Sequence, residues 1–363
     1  MNFYRVVVGN RAFFWGELVK LKKLLLVLAA TLVFGMTSTG FAEENPSAEN
    51  SEVPAKNSDA VKLSGKIEYT STHATVAADG LKAKGTTNSY VFQLDTLAKI
   101  NAHWTANARI ELEGNFGSGD FDSDETLDVD LPRVWLEGDY GNFNIRLGKM
   151  ELLTNEGGLI WDTDFTGAHM TFGNVLKFSM MGGQISSENL DDGVLDESVI
   201  KNDHVNFVGV NLQYENYSKL FGGAGYYRVM GDEIKNTNDL SCLWSANLGY
   251  IFSDKFVISG SFAQNVMTVY EKNSWQATAV YGNYDDYPER GDWNVLLCYR
   301  QYGTSVSFAP TREDVLEGSR GWVVGAAYAP LKNVGVEVKY FKGKDLNDGS
   351  NVKSIWGRVE FFF

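Results

Sequence analysis

The last thirteen residues of the chain, 351–363, alternate strictly between two kinds of side chain. Apolar or small residues take every second position and polar or charged residues fall among those between: Phe363, Phe361, Val359, Gly357 and Ile355 against Glu360, Arg358, Trp356 and Ser354. Such alternation predicts a β-strand with one apolar and one wet face. An aromatic strand end exposed to water invites aggregation. The pattern is therefore typical of a strand whose apolar face meets lipid and whose other face lines a polar lumen.

Similar alternating segments recur from Val61 onward, separated by connections that are in turn long and short. The tally is about sixteen strands, an even number that suits a closed antiparallel transmembrane β-barrel. We expect long connections at 71–87, 117–127, 150–165 and 185–203. To remove free sheet edges, the final strand should pair antiparallel with residues 61–70. A soluble β-sandwich is the alternative fold, but it does not explain the aromatic terminus.

Composition and charge argue against several classes of function. Mean hydropathy is −0.21 and the formal charge of the whole chain is −14. A near-neutral hydropathy is expected of barrel strands, whose two faces average out. The acidic balance argues against nucleic acid as a partner, because a phosphate-binding surface needs clustered Lys and Arg. The two cysteines, Cys242 and Cys298, fall on non-neighbouring strands, so we expect no disulfide. The four histidines show no ligand spacing, and we expect neither metal nor cofactor.

The N-terminus has the pattern of an export signal. Lys20-Leu-Lys-Lys23 precedes an apolar run from Leu24 to Met36, and small residues stand at Gly40 and Ala42. We therefore expect a signal peptide over 1–42, with Val19 as a possible true start, and a flexible periplasmic leader over 43–60. Without 1–42 the chain carries 27 basic and 45 acidic residues, a net charge of −18. The barrel would then occupy 61–363.

The connection 150–165 is unusual for a surface loop. It carries a Gly157-Gly158 pair and the apolar run Leu159-Ile160-Trp161 among several carboxylates. A sixteen-strand barrel leaves an aqueous channel that something should narrow. We expect this connection, the third on the extracellular side, to fold inward and anchor on the barrel wall. Its acidic residues are Glu151, Glu156, Asp162 and Asp164.

Short motifs around this connection carry a family resemblance. The Arg133-Val-Trp-Leu136 hairpin, its turn Gly141-Asn-Phe143, the end Arg146-Leu-Gly-Lys149 and the segment Asn155-Glu-Gly-Gly158 resemble the general trimeric porins of Gram-negative outer membranes. The resemblance implies a homotrimer whose third loop bends into the pore, with loop carboxylates facing a basic wall. The family's Pro-Glu-Phe-Gly-Gly signature is only partly present here. Carried over by position, the constriction acids are Glu151, Glu156, Asp162 and Asp164, and the wall bases are Arg109, Arg133, Arg146 and Lys149.

The function expected from these features is passive diffusion of ions and small hydrophilic solutes across the outer membrane, with no enzymatic activity. The acidic balance predicts a mild preference for cations. A barrel hydrolase is one alternative, and His169 and His204 are the strand-borne bases it could use. A structural or adhesive surface protein that uses the acidic loops for contacts is the other.

Overall fold

The protein was analysed as a computed structural model, which describes residues 61–78, 81–119, 126–155, 157–186, 204–215, 219–230, 240–311, 315 and 318–363. The signal and leader segments predicted over 1–60, and most of the acidic loops, lie outside these residues. Sixteen β-strands follow one another in the described chain: β1 Val61–Ala78, β2 Leu81–Lys99, β3 Trp104–Gly119, β4 Thr126–Asp139, β5 Phe143–Leu153, β6 Asp162–Phe172, β7 Leu176–Ser186, β8 His204–Glu215, β9 Leu220–Met230, β10 Leu240–Ser253, β11 Phe256–Asn265, β12 Asn273–Gly282, β13 Trp293–Gln301, β14 Ser319–Leu331, β15 Val334–Asp345 and β16 Asn351–Phe362.

The strands form one closed antiparallel barrel in which each pairs with its neighbours in sequence and β16 pairs with β1. The predicted fold and the predicted closing pair are therefore confirmed. The register differs in detail, because β16 aligns with Lys66–Ala77 rather than with 61–70. Short turns such as 140–142 and 332–333 lie at the end that also holds the start of β1 and the end of β16, here called the turn end. The opposite end is called the loop end.

Side chains alternate between the two faces of the wall, as the sequence pattern requires. In β14 the outward residues Trp322, Val324 and Tyr328 are exposed, whereas the inward Val323 and Ala327 are buried. In β16 the outward Ile355 and Phe361 are exposed, and the inward Trp356 is buried. The exposed apolar residues thus form the outer belt that the alternation predicts for a lipid-facing barrel.

The prediction of a long connection over 71–87 is wrong. β1 runs to Ala78 and β2 begins at Leu81, and the two strands stay in register through the whole predicted loop. The sequence here is polar and threonine-rich, so the apolar alternation that identifies a strand fades. Threonine nevertheless favours extended backbone, and the ladder of backbone hydrogen bonds continues without an apolar face.

Apolar side chains also fill part of the barrel interior. A buried cluster, here called the inner core, joins residues of β5, of β6 and of the segment between them to inward side chains of β7–β11 and β13–β16 and to residues that follow β13. Members include Leu159, Ile160, Trp161, Ile185, Phe207, Tyr227, Leu243 and Phe308. Among the residues that the structure describes, no helix is long and apolar enough to cross a bilayer. The inner core positions the candidate site described next.

Candidate functional site

The hairpin formed by the ends of β5 and β6 leaves the barrel wall. Pairing between β4 and β5 stops at Val134 and Lys149, and pairing between β6 and β7 stops at Thr166 and Gln184. The β5–β6 ladder continues beyond these points as far as Leu153 and Asp162. Residues 150–155 and 157–165, here called the inner hairpin, therefore pair with each other rather than with β4 or β7, and they bend into the lumen.

One face of the inner hairpin packs on the wall. The ring of Phe165 lies 5.1 Å from that of Phe207, an inward residue of β8, in an edge-on arrangement. Trp161 is fully buried, with ring centroids 6.2 Å from Phe207 and 5.3 Å from Phe308. Met150 is buried on the same face. The apolar run that the sequence flagged is thus the anchor that holds the hairpin inside the barrel.

Residues 302–311, which follow β13, also fold inward; we call this segment the inner loop. The Ala309 N–H donates to the Ile160 carbonyl at 3.0 Å, and the Asp162 N–H donates to the Ala309 carbonyl at 2.6 Å. The Thr311 N–H donates to the Gly158 carbonyl at 3.0 Å. These bonds include a short parallel bridge between Trp161 and Ala309. The two segments are therefore joined backbone to backbone across the lumen.

The inner loop is also held to the wall beneath it. The Asn265 side chain donates to the Ser305 carbonyl at 2.8 Å, and the Ser274 and Ser307 hydroxyls lie 2.8 Å apart. All four of these residues are buried. The sequence pattern does not predict the inward fold of this loop, since residues 302–311 carry neither a carboxylate nor a paired glycine.

The paired glycines at the tip of the inner hairpin have a geometric reason. Gly157 and Gly158 have φ angles of 74° and 69°, in the left-handed region that favours glycine. A Cβ atom on Gly158 would also collide with the Thr311 side chain. Thr311 Oγ1 donates to Asp162 Oδ2 at 2.5 Å. The two glycines thus allow the tip to turn tightly, and the absence of a side chain at Gly158 leaves space for Thr311 of the inner loop.

Two of the four predicted acidic residues meet a predicted base. Arg133 Nε donates to Asp164 Oδ1 at 2.6 Å, and Arg133 Nη1 lies 3.1 Å from Glu151 Oε1. Glu151 and Asp164 are cross-strand partners on the inner hairpin, on the face opposite its apolar anchor. Arg133 comes from β4, so these contacts join the hairpin to the wall. Arg109, on β3, forms a two-bond ion pair with Asp95 of β2.

The other predicted site residues lie elsewhere. Arg146 points inward nearer the turn end, with Nε 3.3 Å from Glu137 Oε1. Lys149 Nζ lies 4.0 Å from Asp130 Oδ2. Asp162 accepts the Thr311 hydroxyl at the hairpin tip. Glu156 lies outside the described residues. The structure thus brings together Arg133, Glu151 and Asp164, and it places Arg109, Arg146, Lys149 and Asp162 in separate contacts.

A second charged group lies at the seam where β16 meets β1 and β15. Lys66 Nζ lies 2.5 Å from Glu68 and 3.2 Å from Glu360, while Arg358 Nη2 donates to Glu337 at 2.9 Å. The seam cluster comprises Lys66, Glu68, Glu337, Lys339, Arg358 and Glu360, with the Trp356 ring beneath two of its cations. Its inward charges were visible as alternation in the sequence. Their grouping depends on strand register, which the sequence does not display.

Inward charges of the described wall remain accessible to water. The exposed fraction of the side chain is 48% for Glu151, 36% for Asp95 and 39% for Arg146. The seam cluster keeps partial exposure as well. Because these side chains point into the barrel, water reaches them from within. The inner core therefore occupies part of the lumen, and the remaining inward surface of β1–β6, β15 and β16 carries charged and polar groups.

The histidines and cysteines occupy scattered positions. His169 points inward on β6 opposite Arg146, and its Nε2 lies 3.5 Å from Thr171 Oγ1. His204 begins β8 at the loop end. Cys242 and Cys298 are both free and buried, on β10 and β13. Within the described ranges, no group of three or more His, Cys, Asp or Glu residues is placed to hold a metal ion.

Comparisons with known proteins identify the fold. No protein-family model matches the sequence, and no curated protein matches it. Among solved structures, Pseudomonas putida OprB is similar over 83% of this chain and 94% of its own, with a TM-score of 0.54 and 12% identity.

Two further structures are similar. Salmonella typhi OmpF matches over 83% of this chain and 97% of its own, with a TM-score of 0.51 and 14% identity. Pseudomonas aeruginosa OpdQ matches over 84% and 98%, with a TM-score of 0.50 and 11% identity. All three are outer-membrane porins of Gram-negative bacteria. At such low identity the likeness establishes the fold and nothing finer.

Proposed function

We propose that this protein is an outer-membrane porin: a water-filled channel for passive diffusion of ions and small hydrophilic solutes. The observation that carries the proposal is the division of the lumen. Partly exposed charged side chains point inward from the wall and the inner hairpin, among them Asp95, Glu151 and Arg358, while an apolar belt covers the outside. A barrel with a wet interior and an apolar exterior is suited to a bilayer and to solute passage.

The inner hairpin supplies the narrow part of the proposed channel. Glu151 and Asp164 on the hairpin contact Arg133 on the wall, and Arg109 lies on the adjacent wall strand, so these four residues bring charges of both signs beside the proposed passage. Opposed charges orient water and polar solutes and penalise apolar molecules that must shed their hydration. The proposed constriction therefore consists of these four residues, with Asp162 at the hairpin tip, Arg146 and Lys149 as flanking wall charges, and Glu156 as a further carboxylate.

A mild cation preference is part of the proposal. The chain without residues 1–42 has a net charge of −18, and a negative surface concentrates cations at a channel mouth. Export by the N-terminal signal and assembly as a homotrimer in the outer membrane complete the proposal. Both rest on the sequence pattern and the family resemblance.

The geometry favours a channel over a hydrolase. A nucleophile and its base are expected within about 2.6–3.2 Å of each other. The contact of His169 with Thr171 is longer, at 3.5 Å. An adhesive protein would use its loop end for contacts and would not need charged side chains inside the barrel. The accessible charges in the lumen therefore favour a role in the diffusion of solutes.

Planar-bilayer recording tests the proposal. Pure refolded protein without residues 1–42 should insert and produce stepwise increases in ion current. Under a salt gradient, the reversal potential should show a mild preference for potassium over chloride. Insertion without any ion current would refute the channel, and a preference for chloride would refute the cation preference alone.

A further inference from the structure

Four cations lie together on the outer surface of the barrel near the loop end. Arg320 is on β14, Lys342 and Lys344 are on β15, and Lys353 is on β16. All four are exposed, and the residues beside each of them along its strand are buried or half-buried, so the four point away from the lumen. We call them the outer cationic patch. None of the predicted site residues belongs to it.

The strand register places the members of the patch opposite one another. Arg320 pairs directly with Lys344, and Lys342 pairs directly with Lys353. The Cβ atoms of such cross-strand partners lie about 4.5–5.5 Å apart, and like charges directly opposite each other destabilise a sheet. Strand pairing therefore gives no reason for two adjacent pairs of cations. An anion bound between them would remove the repulsion.

The positive charge of the patch is not neutralised by the part of the chain that the structure describes. Within that part, none of the four cations forms an ion pair or a side-chain hydrogen bond. Asp345 and Asp348, in and beside the turn that joins β15 to β16, instead accept backbone N–H groups of that turn. The Asn347 N–H donates to Asp345 Oδ1 at 2.8 Å, and the Ser350 N–H donates to Asp348 Oδ1 at 2.7 Å.

The patch borders the apolar outer belt. On the same strands and the same face, the next outward residues towards the turn end are Trp322, Tyr340 and Ile355, all exposed. Two strand residues span about 6.8 Å, so the patch begins just beyond side chains that meet lipid. The polar headgroup region of a bilayer begins at the edge of its hydrocarbon core. Lysine and arginine can lay their aliphatic stems on apolar surface and place their charges among the headgroups.

We propose that the outer cationic patch binds the phosphate groups of anionic lipid headgroups in the leaflet at the loop end. The inference rests on the proposed function for its outer-membrane setting and gives the outer wall a lipid partner. Hydrogen bonds from Lys and Arg to phosphate are charge-assisted and therefore strong. Each cation at a lipid surface contributes about fivefold in affinity for an anionic surface. The neighbouring apolar belt contacts acyl chains, which a free phosphate ion lacks, so the occupant is a lipid.

The test compares dioleoyl phosphatidic acid with dioleoyl phosphatidylcholine, which has the same acyl chains and a headgroup without net charge. Native mass spectrometry of the detergent-solubilised protein, titrated with each lipid, should show tighter binding of phosphatidic acid. We expect R320Q/K342Q/K344Q/K353Q to lose at least about tenfold in affinity for phosphatidic acid and little for phosphatidylcholine. Inorganic phosphate at the same concentration as the lipid should not displace it. Displacement would indicate a site for the free anion and overturn the lipid site.

The matched control removes four exposed lysines at the turn end and so changes the net charge equally: K99Q/K219Q/K255Q/K332Q. This control should keep the preference for phosphatidic acid, and so should K342R/K353R, which retains both charges. Circular dichroism establishes that each variant is folded, and K342Q/K353Q replaces the fourfold variant if it is not. Equal losses of affinity in the two fourfold variants would overturn the patch while leaving the channel intact. Absence of ion current in the unmodified protein would instead refute the channel.

Discussion

Gly65 and Phe363 exchange two backbone hydrogen bonds, each 3.0 Å long, and so complete the seam between the first strand and the last residue of the chain. The Phe363 ring covers Gly65 on the outer face and lies 6.1 Å from the ring of Phe92. A Cβ atom at position 65 would collide with the Gln93 carbonyl and press on the Phe363 ring. Glycine at this position is therefore a condition for placing the aromatic terminus.

The substitution Gly65→Ala should destabilise the closed barrel. Overpacking at a fixed site costs about 1–3 kcal/mol, and here the obstacle includes backbone. Urea-dependent unfolding in lipid vesicles, followed by tryptophan fluorescence, measures the change. The matched control is Gly260→Ala, because a Cβ atom there meets nothing closer than 3.8 Å. Equal losses of unfolding free energy in the two variants would show that the stability of the seam does not depend on Gly65.

Charge removal on the inner hairpin should change ion preference. Glu151→Gln with Asp164→Asn leaves Arg133 without the two carboxylates it contacts. A unit charge at about 4 Å in water contributes about 1 kcal/mol, which is roughly a fivefold change in relative ion permeability. The reversal potential should therefore move towards chloride. The control Glu289→Gln removes an exposed turn carboxylate paired with Lys332, and an equal shift there would refute a local effect.

Weakening the contact between the inner hairpin and the inner loop should increase fluctuations in the width of the passage. Thr311→Val keeps the side-chain shape but removes the hydroxyl that donates to Asp162. The net loss is about 0.5–1.5 kcal/mol, too little to unfold the barrel. We expect larger fluctuations of the open-channel current in single-channel recordings. Thr268→Val in the connection between β11 and β12 serves as control, and identical noise in both variants would contradict the proposed link.

Truncation of the inner core should open the lumen. Trp161→Ala removes a fully buried indole that packs on Phe207 and Phe308, at a cost of about 3–5 kcal/mol. Single-channel conductance should rise as the hairpin loses its anchor. Trp161→Phe keeps an aromatic ring and removes an N–H that has no hydrogen-bond partner among the described residues, so it should cost less. Unchanged conductance in both variants would show that this core does not limit the passage.

Tyr284 gives a pH-dependent prediction. It lies in the 283–292 turn, where its hydroxyl approaches Gly335. Burial, with the nearby Glu360 and Glu337 carboxylates, raises its pKa from 10.0 to about 12. The folded state therefore favours the protonated phenol, and the protein should lose stability as the pH rises from 10 to 12. Thermal unfolding across this range should show a shallower loss in Tyr284→Phe; an unchanged slope would exclude Tyr284 as the cause.

The wall of the barrel was largely predictable, because lipid outside and water inside impose a two-residue period on each strand. That signal identified the closing strand and the inward direction of Arg358 and Glu360. It failed at 71–87, where polar residues dominate and the inward Ala74 and Val76 are small, so the period is weak although the strands continue. The sequence also did not predict that β16 pairs with residues 66–77 rather than 61–70. A two-residue period does not determine which residues of two neighbouring strands lie opposite each other.

The inner hairpin was predictable for a different reason. Exposing its apolar run to water on the protein surface would be unfavourable, so the sequence indicates that this loop folds inward. Position in sequence could not reveal the partner of each charge. Arg146 pairs with Glu137 on its own part of the wall, whereas Arg133 reaches both Glu151 and Asp164. The inner loop escaped prediction because its partners, Gly158 and Ile160, lie far away along the chain.

The bridge between Trp161 and Ala309 also bears on how the barrel is assembled. Closing a long loop before its contacts form carries an entropic cost, so distant contacts tend to form late. The inner core draws on β5–β11, on β13–β16 and on the segment after β13, so a partly inserted chain cannot complete it. A chain stopped before Phe308 would retain a hairpin with an uncovered apolar side.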